Sequence, residues 1–97
     1  MPIVMSMNWP EVTPEQYEKV RDDVAWETDV PEGARLHVAW FSPSSGFHVI
    51  DVWDSPSHFD HFATQRLTPA TQSANISTAP VVEISDAHAI FAPNPSM

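Results

Sequence analysis

The sequence predicts an α+β domain with the element order βαββαβ, and three observations support this. Prolines divide the 97 residues into clean segments, each of helix or strand length. Two of the segments open with a hydroxyl residue followed by proline, which is a common start of a helix. Four others are rich in β-branched and aromatic residues. This order is typical of a ferredoxin-like subunit, in which a four-stranded antiparallel sheet carries both helices on one face.

The first half of the chain predicts one strand and one helix. Apolar residues alternate with others from Ile3 to Asn8, which indicates a strand. The segment Thr13-Pro14-Glu15-Gln16 has the residues of a capping box and predicts the start of a helix. The apolar side chains that follow at helical spacing are Tyr17, Val20, Val24 and Trp26.

The middle of the chain predicts a β-hairpin. Two β-rich runs, from Ala34 to Phe41 and from Gly46 to Trp53, are joined by a loop of serine, proline and glycine. A loop of this composition reverses the chain and favours antiparallel pairing of the two runs.

The last part of the chain predicts a second helix and a fourth strand. Ser55-Pro56 begins the helix, and its apolar side chains continue at helical spacing. Because Pro69 has no amide hydrogen, we expect a kink or a break near Thr68. The run from Val81 to Phe91 predicts the final strand.

Composition and charge narrow the possible functions. Thirteen acidic residues outweigh four lysines and arginines, which gives a net charge of −9 at pH 7. We therefore expect neither nucleic acid nor an anionic membrane as a partner. The absence of cysteine excludes disulfides and thiolate sites and fits a cytoplasmic location. The 97 residues predict a single domain, 1–97, with a thin core that would gain from a partner subunit.

The hairpin register separates the side chains into two faces. If Phe41 lies opposite Phe47, then His37 pairs with Asp51. We call the face that includes these residues the mixed face: Arg35, His37, Ala39, Phe41, Phe47, Val49, Asp51 and Trp53. We call the other the aliphatic face, and we expect it to lie under the helices: Leu36, Val38, Trp40, His48, Ile50 and Val52. The mixed face would then need another cover, because its aromatic residues would form an exposed apolar patch.

Polar groups within an apolar sheet face are typical of a binding pocket. We predict that His37 is a general base and that Asp51 orients it, because a nearby carboxylate favours the charged imidazole and fixes its tautomer. The alternative is that the two residues form a structural cross-strand pair beneath a dimer interface. Arg35 is either a ligand for an anion or a surface cation that packs along the sheet.

One strand-to-helix junction resembles a known family. Its residues are Val49-Ile50-Asp51-Val52-Trp53-Asp54-Ser55-Pro56-Ser57-His58-Phe59. The junction, the element order and the length resemble the dimeric α/β-barrel superfamily, in particular small proteins of the antibiotic biosynthesis monooxygenase type. The resemblance covers nearly the whole chain. It implies a homodimer in which two sheets pack face to face, each closing a pocket over its non-helical face.

The resemblance also implies a function. The leading expectation is a cofactor-independent, monooxygenase-like enzyme that acts on a small aromatic or polyketide-type molecule. There are two alternatives. One is a proton-transfer enzyme of the polyketide cyclase or isomerase type, and the other is a non-catalytic small-ligand-binding or stress protein. Besides His37 and Asp51 as the catalytic pair, the expected substrate-binding residues are Asn8 as a hydrogen-bond donor, Trp53 as a wall, and Arg35, Phe41, Phe47, Val49 and His88. His88 would reach the pocket only through a bulge near Ser85.

No cofactor or metal is expected. The haem-degrading branch of the superfamily would need a tryptophan and an axial histidine where this chain has Phe62 and Gln72. His58 and His61 are three residues apart on one helix, but no third metal ligand is indicated. The partners that we expect are therefore a second copy of the chain and a small apolar or aromatic molecule.

Overall fold

The elements follow the order βαββαβ over residues 1–93, which are the residues that the structure, a computed structural model, describes. The remaining residues of the predicted domain 1–97 lie outside the described part. The strands and helices are β1 (Ile3–Trp9), α1 (Pro14–Val24), β2 (Ala34–Ser42), β3 (Gly46–Trp53), α2 (Pro56–Phe62), a π-helical turn (Ala63–Leu67), α3 (Thr68–Ser73) and β4 (Val81–Asp86). The strands form one antiparallel sheet in the order β2-β3-β1-β4. The predicted ferredoxin-like architecture is confirmed.

Both helix starts follow the predicted capping pattern. The Thr13 hydroxyl accepts a hydrogen bond from the Gln16 amide at 3.1 Å, and the Gln16 side chain accepts one from the Thr13 amide at 3.0 Å. In the same way, the Ser55 hydroxyl accepts a hydrogen bond from the His58 amide at 3.2 Å. Helix α1 ends at Val24, and the residue that caps it, Ala25, has a φ of 54°, so Trp26 lies in the turn that follows the helix.

The expected irregularity near Thr68 takes the form of a π-helical turn. The Thr68 amide donates to the Ala63 carbonyl, five residues back instead of the usual four. Pro69 then lies in the first turn of α3, where a missing amide hydrogen removes little. The wider turn therefore carries the helical chain past the proline without a break.

The register of the hairpin agrees with the prediction, with one exception. His37 lies opposite Asp51, and the pairs closer to the loop follow the expected alternation. A bulge at Arg35 leaves Ala34, and not Arg35, opposite Trp53. The predicted pairing of Arg35 with Trp53 is therefore wrong, because the extra residue shifts the register at this end of β2.

The fourth strand is shorter than predicted. It ends at Asp86, and the Ala87 amide then donates to the Pro2 carbonyl at 2.9 Å. His88 lies beyond the strand and is exposed, so a bulge near Ser85 does not turn it toward the interior.

The helices cover the face of the sheet opposite to the one predicted. Phe47, Val49 and Trp53 of the mixed face are buried, together with Met5 and Met7 of β1. The aliphatic face points away from the helices, and three of its side chains are 42–45% exposed: Leu36, Val38 and Trp40. The prediction that the aliphatic face lies under the helices is wrong.

The reason for this reversal lies in the side chains of the helical segments. The ring of Trp53 packs against Trp26 at 5.4 Å, against Phe62 at 5.2 Å and against Phe59 at 5.8 Å between centroids. Aromatic rings gain most from packing on other rings in edge-on or tilted geometries. The aromatic side chains of the helices therefore match the aromatic face of the hairpin better than its aliphatic face.

Candidate functional site

A cavity of about 70 Å³ lies between the helices and the sheet. Most of its wall is apolar and includes Met5, Met7, Val20, Phe47, Val49 and Phe62. The charged and polar side chains that reach it include Tyr17, Arg21, Glu27, His37 and Asp51. An apolar cavity with a few convergent polar groups is the usual form of a small-molecule site.

The His37 and Asp51 side chains meet across strands β2 and β3 at one side of this cavity. His37 Nδ1 is 2.7 Å from Asp51 Oδ1. The Trp53 indole N–H donates to the other oxygen, Oδ2, at 3.1 Å. Asp51 is 3% exposed and Trp53 is fully buried. Because a buried carboxylate needs hydrogen-bond donors, these two bonds hold Asp51 in one orientation.

Tyr17 of α1 completes the set of polar groups. Its hydroxyl oxygen is 2.9 Å from His37 Nε2, and its ring packs against Phe47 at 5.1 Å between centroids. Burial is the largest influence on this phenol and raises the pKa of Tyr17. A continuous hydrogen-bonded series, which we call the polar chain, therefore runs through Tyr17, His37, Asp51 and Trp53.

Two charged residues mark the side on which the cavity meets solvent. Arg21 Nε donates to Glu27 Oε1 at 2.8 Å, and the two side chains are 44% and 54% exposed. This hydrogen bond lowers the pKa of Glu27 and raises that of Arg21. Trp26 is partly buried beside them, with its ring 5.0 Å from the His37 ring. We take this side as the mouth of the cavity.

Most of the predicted pocket residues of the hairpin meet at the cavity. His37, Asp51, Phe47 and Val49 line it, and Trp53 lies directly behind Asp51. Phe41 is 40% exposed and lies at the edge, with its ring 6.5 Å from that of Tyr17. The pocket lies beneath the helices, however. The expectation that it lies on the non-helical face is wrong, for the same reason that the two sheet faces are reversed.

The structure does not bring Asn8, Arg35 or His88 to this cavity. Asn8 is on the opposite side of the sheet, where its amide donates to the carbonyls of Ser45 and Phe47, both at 3.1 Å. Arg35 is exposed and donates to the Asp54 carboxylate at the surface. His88 is exposed beyond the end of β4.

Tyr17 and Trp26 were expected only as parts of an apolar helix stripe, and the structure places both at the cavity. One signal for Tyr17 was present in the sequence. A tyrosine on a buried stripe carries a hydroxyl that needs a hydrogen-bond partner, which points to a polar group on the facing sheet. No comparable signal marked Trp26, because its position depends on the turn after α1.

The described residues show no metal centre. Within residues 1–93, no three histidine or acidic side chains converge as metal ligands. His58 forms a hydrogen bond with the Ser55 hydroxyl at 2.7 Å, and the Glu32 carboxylate is 3.9 Å away. Residues 1–93 also contain no helix with the length and apolar character needed to cross a bilayer.

Solved structures with a similar fold were found, and their identities to this chain are low. SnoaB, a cofactor-independent oxygenase from Streptomyces nogalater studied as a mutant, matches with a TM-score of 0.64 and 14% identity, over 93% of this chain and 95% of that chain. A protein described as an antibiotic biosynthesis monooxygenase matches with a TM-score of 0.60 and 19% identity, over 90% of this chain and 98% of that chain. This chain has the antibiotic biosynthesis monooxygenase fold. The resemblance noted at the strand-to-helix junction is therefore confirmed for the fold.

The antibiotic biosynthesis monooxygenase fold also occurs in proteins without an assigned activity. A dimeric ferredoxin-like protein of unknown function from Thermobifida fusca matches with a TM-score of 0.60 and 16% identity, over 90% of this chain and 92% of that chain. No family model matches the sequence of this chain, and no curated protein matches it. Since one fold hosts many activities, the activity has to be argued from the site.

Proposed function

We propose that this protein is a cofactor-independent, monooxygenase-like enzyme that acts on a small aromatic or polyketide-type molecule in the cavity. The observation that carries the proposal is the imidazole of His37, held by the buried carboxylate of Asp51 at 2.7 Å beside apolar walls. A histidine oriented in this way is suited to general-base catalysis near neutral pH. The shared fold with a cofactor-independent oxygenase supports the same reaction class by analogy.

The chemistry needs only a base and molecular oxygen. Loss of the hydroxyl proton from a phenol or enol produces an anion whose charge is shared with a ring carbon that carries one hydrogen. That carbon reacts with oxygen to form a peroxide anion, which takes up the proton held by His37. The protonated peroxide loses water and leaves a carbonyl group. One oxygen atom enters the product and the other leaves as water, so the substrate supplies all the electrons. His37 accepts the first proton, and Asp51 stabilises the imidazolium.

The size of the cavity limits how the substrate enters. Its volume of about 70 Å³ is less than half of the roughly 150 Å³ that holds benzene in a protein interior. A ring can therefore bind only if part of the wall moves. We assign this movement to Trp26, which is partly exposed and lies in the turn after α1, above His37.

We also propose that two copies of the chain pair through the aliphatic face of the sheet. This face exposes Leu36, Val38 and Trp40, although large contiguous apolar patches are uncommon on monomeric proteins. The dimeric protein from Thermobifida fusca has the same fold. The expected homodimer thus uses the face opposite to the one named from the sequence. The cytoplasmic location stays a prediction.

The function can be tested by oxygen uptake. Purified protein, freed of flavin and treated with a chelator, is incubated with small phenols and enolisable polyketide analogues. We expect uptake by the wild type, and His37→Gln should reduce its rate by roughly 10²–10⁴, the range for loss of a general base. His61→Gln on α2 is the matched control, because His61 is exposed and does not line the cavity.

Each other outcome contradicts the proposal in a recognisable way. Turnover without oxygen consumption would indicate a proton-transfer enzyme of the cyclase or isomerase type. Ligand binding without any product would indicate a binding protein. Full oxygen uptake by His37→Gln would remove His37 as the base.

A further inference from the structure

Both ring nitrogens of His37 are already hydrogen-bonded. Nδ1 is 2.7 Å from Asp51 Oδ1, and Nε2 is 2.9 Å from the Tyr17 hydroxyl. An ionised carboxylate can only accept hydrogen bonds, so the proton of the neutral ring lies on Nδ1. The lone pair on Nε2 then accepts the Tyr17 O–H. A substrate hydroxyl therefore finds the basic nitrogen occupied.

Tyr17 both occupies that nitrogen and lines the cavity. Its side chain lines the cavity, and its ring is held by Phe47 at 5.1 Å and Phe41 at 6.5 Å between centroids. Its hydroxyl hydrogen is used by His37, but a hydroxyl oxygen has two lone pairs that can accept hydrogen bonds. The group that the polar chain offers to a ligand O–H is therefore the Tyr17 oxygen.

We propose that Tyr17 is the catalytic residue that contacts the acidic hydroxyl of the substrate and relays its proton to His37. This inference rests on the proposed function and names the group through which the base acts. A ligand oxygen bound to the Tyr17 oxygen at about 2.7 Å would be roughly 5 Å from His37 Nε2. That distance is too long for direct transfer of a proton.

The relay conserves atoms and charge. The substrate proton moves to the Tyr17 oxygen while the proton of Tyr17 moves to His37 Nε2. The products are a substrate anion, an imidazolium paired with Asp51, and a neutral tyrosine whose new O–H bond donates to the anion. Asp51 acts through His37 and is a positioning residue. The total charge within the cavity does not change, so no net charge enters an apolar space.

The concerted form of this transfer fits the environment of the phenol. Burial raises the pKa of Tyr17, and the nearby Glu18, Glu27 and Asp51 act in the same direction, whereas Arg21 opposes them. A free tyrosinate is thus disfavoured, and Tyr17 has to lose one proton as it gains the other. The alternative is that the substrate hydroxyl displaces the Tyr17 hydroxyl from His37 Nε2. The Tyr17 ring would then have to leave its contacts with Phe41 and Phe47.

The relay is tested with para-nitrophenol under nitrogen, at a pH at which the free phenol is mostly protonated. The visible absorbance of the bound ligand reports its ionisation, and quenching of tryptophan fluorescence reports how much ligand is bound. We expect the wild type to bind it mainly as the phenolate. Tyr17→Phe, which keeps the ring, should lower the ratio of bound phenolate to bound phenol at least tenfold. His37→Gln should do the same, and Thr28→Val, which removes an exposed hydroxyl outside the cavity, should match the wild type.

Two results would overturn the relay. If Tyr17→Phe ionises the bound phenol as fully as the wild type, His37 takes the proton directly. If the wild type fails to bind or to ionise para-nitrophenol, the polar chain does not act on phenols. Since oxygen is absent from this assay, a wild type that ionises the phenol but later consumes no oxygen fails only the proposed oxygenase function.

A second measurement does not depend on any substitution that could disturb folding. Tyr17 is the single tyrosine of the chain, so biosynthetic replacement by fluorotyrosine labels this residue alone. Its fluorine NMR signal should shift when para-nitrophenol binds, and should shift much less with nitrobenzene, which has no hydroxyl. Equal shifts with the two ligands would contradict a hydrogen bond between Tyr17 and the phenol.

Discussion

Replacement of Asp51 tests how the polar chain is held in place. Its carboxylate is 3% exposed and accepts one hydrogen bond from His37 and one from the fully buried Trp53. In Asp51→Ala, the indole N–H of Trp53 loses its partner in a site that water does not reach. The imidazole N–H of His37 also loses its partner, although this side chain is 23% exposed and can bind water.

The expected cost follows from these two donors. A buried donor without a partner destabilises a protein by about 1–3 kcal/mol. With His37 partly compensated by water, we expect Asp51→Ala to lower the free energy of unfolding by about 2–4 kcal/mol. Asp51→Asn keeps the shape and exchanges two charge-assisted bonds for neutral ones, for which we expect a loss of about 1–2 kcal/mol.

Asp51→Asn should also reverse the polar chain. Because the Trp53 indole can only donate, the amide oxygen of the new asparagine has to face it, and the amide NH₂ then faces His37. The imidazole must accept at Nδ1 and therefore carries its proton on Nε2, where it donates to Tyr17. With its proton on Nε2, His37 cannot accept a proton from Tyr17 at that nitrogen. We therefore expect the rate of oxygen uptake to fall on the order of 10³-fold or more, although the variant folds.

Urea denaturation followed by tryptophan fluorescence measures the stability changes. A loss of 2–4 kcal/mol should lower the urea midpoint by on the order of 1–3 M. All variants are compared at one protein concentration, because pairing of subunits adds to stability. The matched control is Asp54→Ala, whose carboxylate is 44% exposed and bonded to Arg35, and its effect should be less than about 1 kcal/mol. An Asp51→Ala midpoint equal to that of the wild type would refute the buried role of Asp51.

Three further perturbations test other parts of the account. Because burial raises the pKa of Tyr17, alkaline absorbance titration of the folded protein should give a midpoint above 10.0. The folded state favours the neutral phenol, so its contribution to the free energy of unfolding should be complete below pH 10.0 and should be lost as the pH rises through the folded-state pKa. A folded midpoint at or below that of the urea-unfolded chain would contradict this. Trp40→Glu should convert the dimer to a monomer in sedimentation, whereas Val30→Glu, at an exposed position outside the sheet, should not; a Trp40→Glu dimer would exclude the aliphatic face as the interface. Trp26→Ala should lower the free energy of unfolding by about 1–3 kcal/mol, because a partly buried ring is lost. The variant should nevertheless bind naphthol at least tenfold more tightly in a fluorescence titration. An unchanged affinity would mean that the ligand does not enter the cavity past Trp26.

Local sequence signals predicted the fold well. The capping residues before Pro14 and Pro56 set the helix starts, and the loop before Gly46 set the hairpin. These signals depend on interactions within a few residues, so they can be read without tertiary structure. The end of β4 could not be read in this way, because its length depends on its pairing with β1.

The candidate site was predicted only in part. The pairing of His37 with Asp51 followed from register, which is set locally once the loop is placed. Alternation shows which side chains share a face, but not which face the helices cover, and both faces of this hairpin are apolar enough to be buried. Tyr17 joined the site only through the placement of α1 on the sheet. The bulge that removes Arg35 from the register has no signal in the residue pattern.

A crystal structure of the protein with bound para-nitrophenol would show where the ring binds and which residue its hydroxyl contacts. We expect the ring beneath the helices, within the cavity lined by Phe47 and Val49, with its oxygen within hydrogen-bond distance of the Tyr17 hydroxyl and the indole of Trp26 displaced. A ligand bound on the aliphatic face of the sheet, or one whose hydroxyl points away from Tyr17 and His37, would contradict the proposed site and the proton relay.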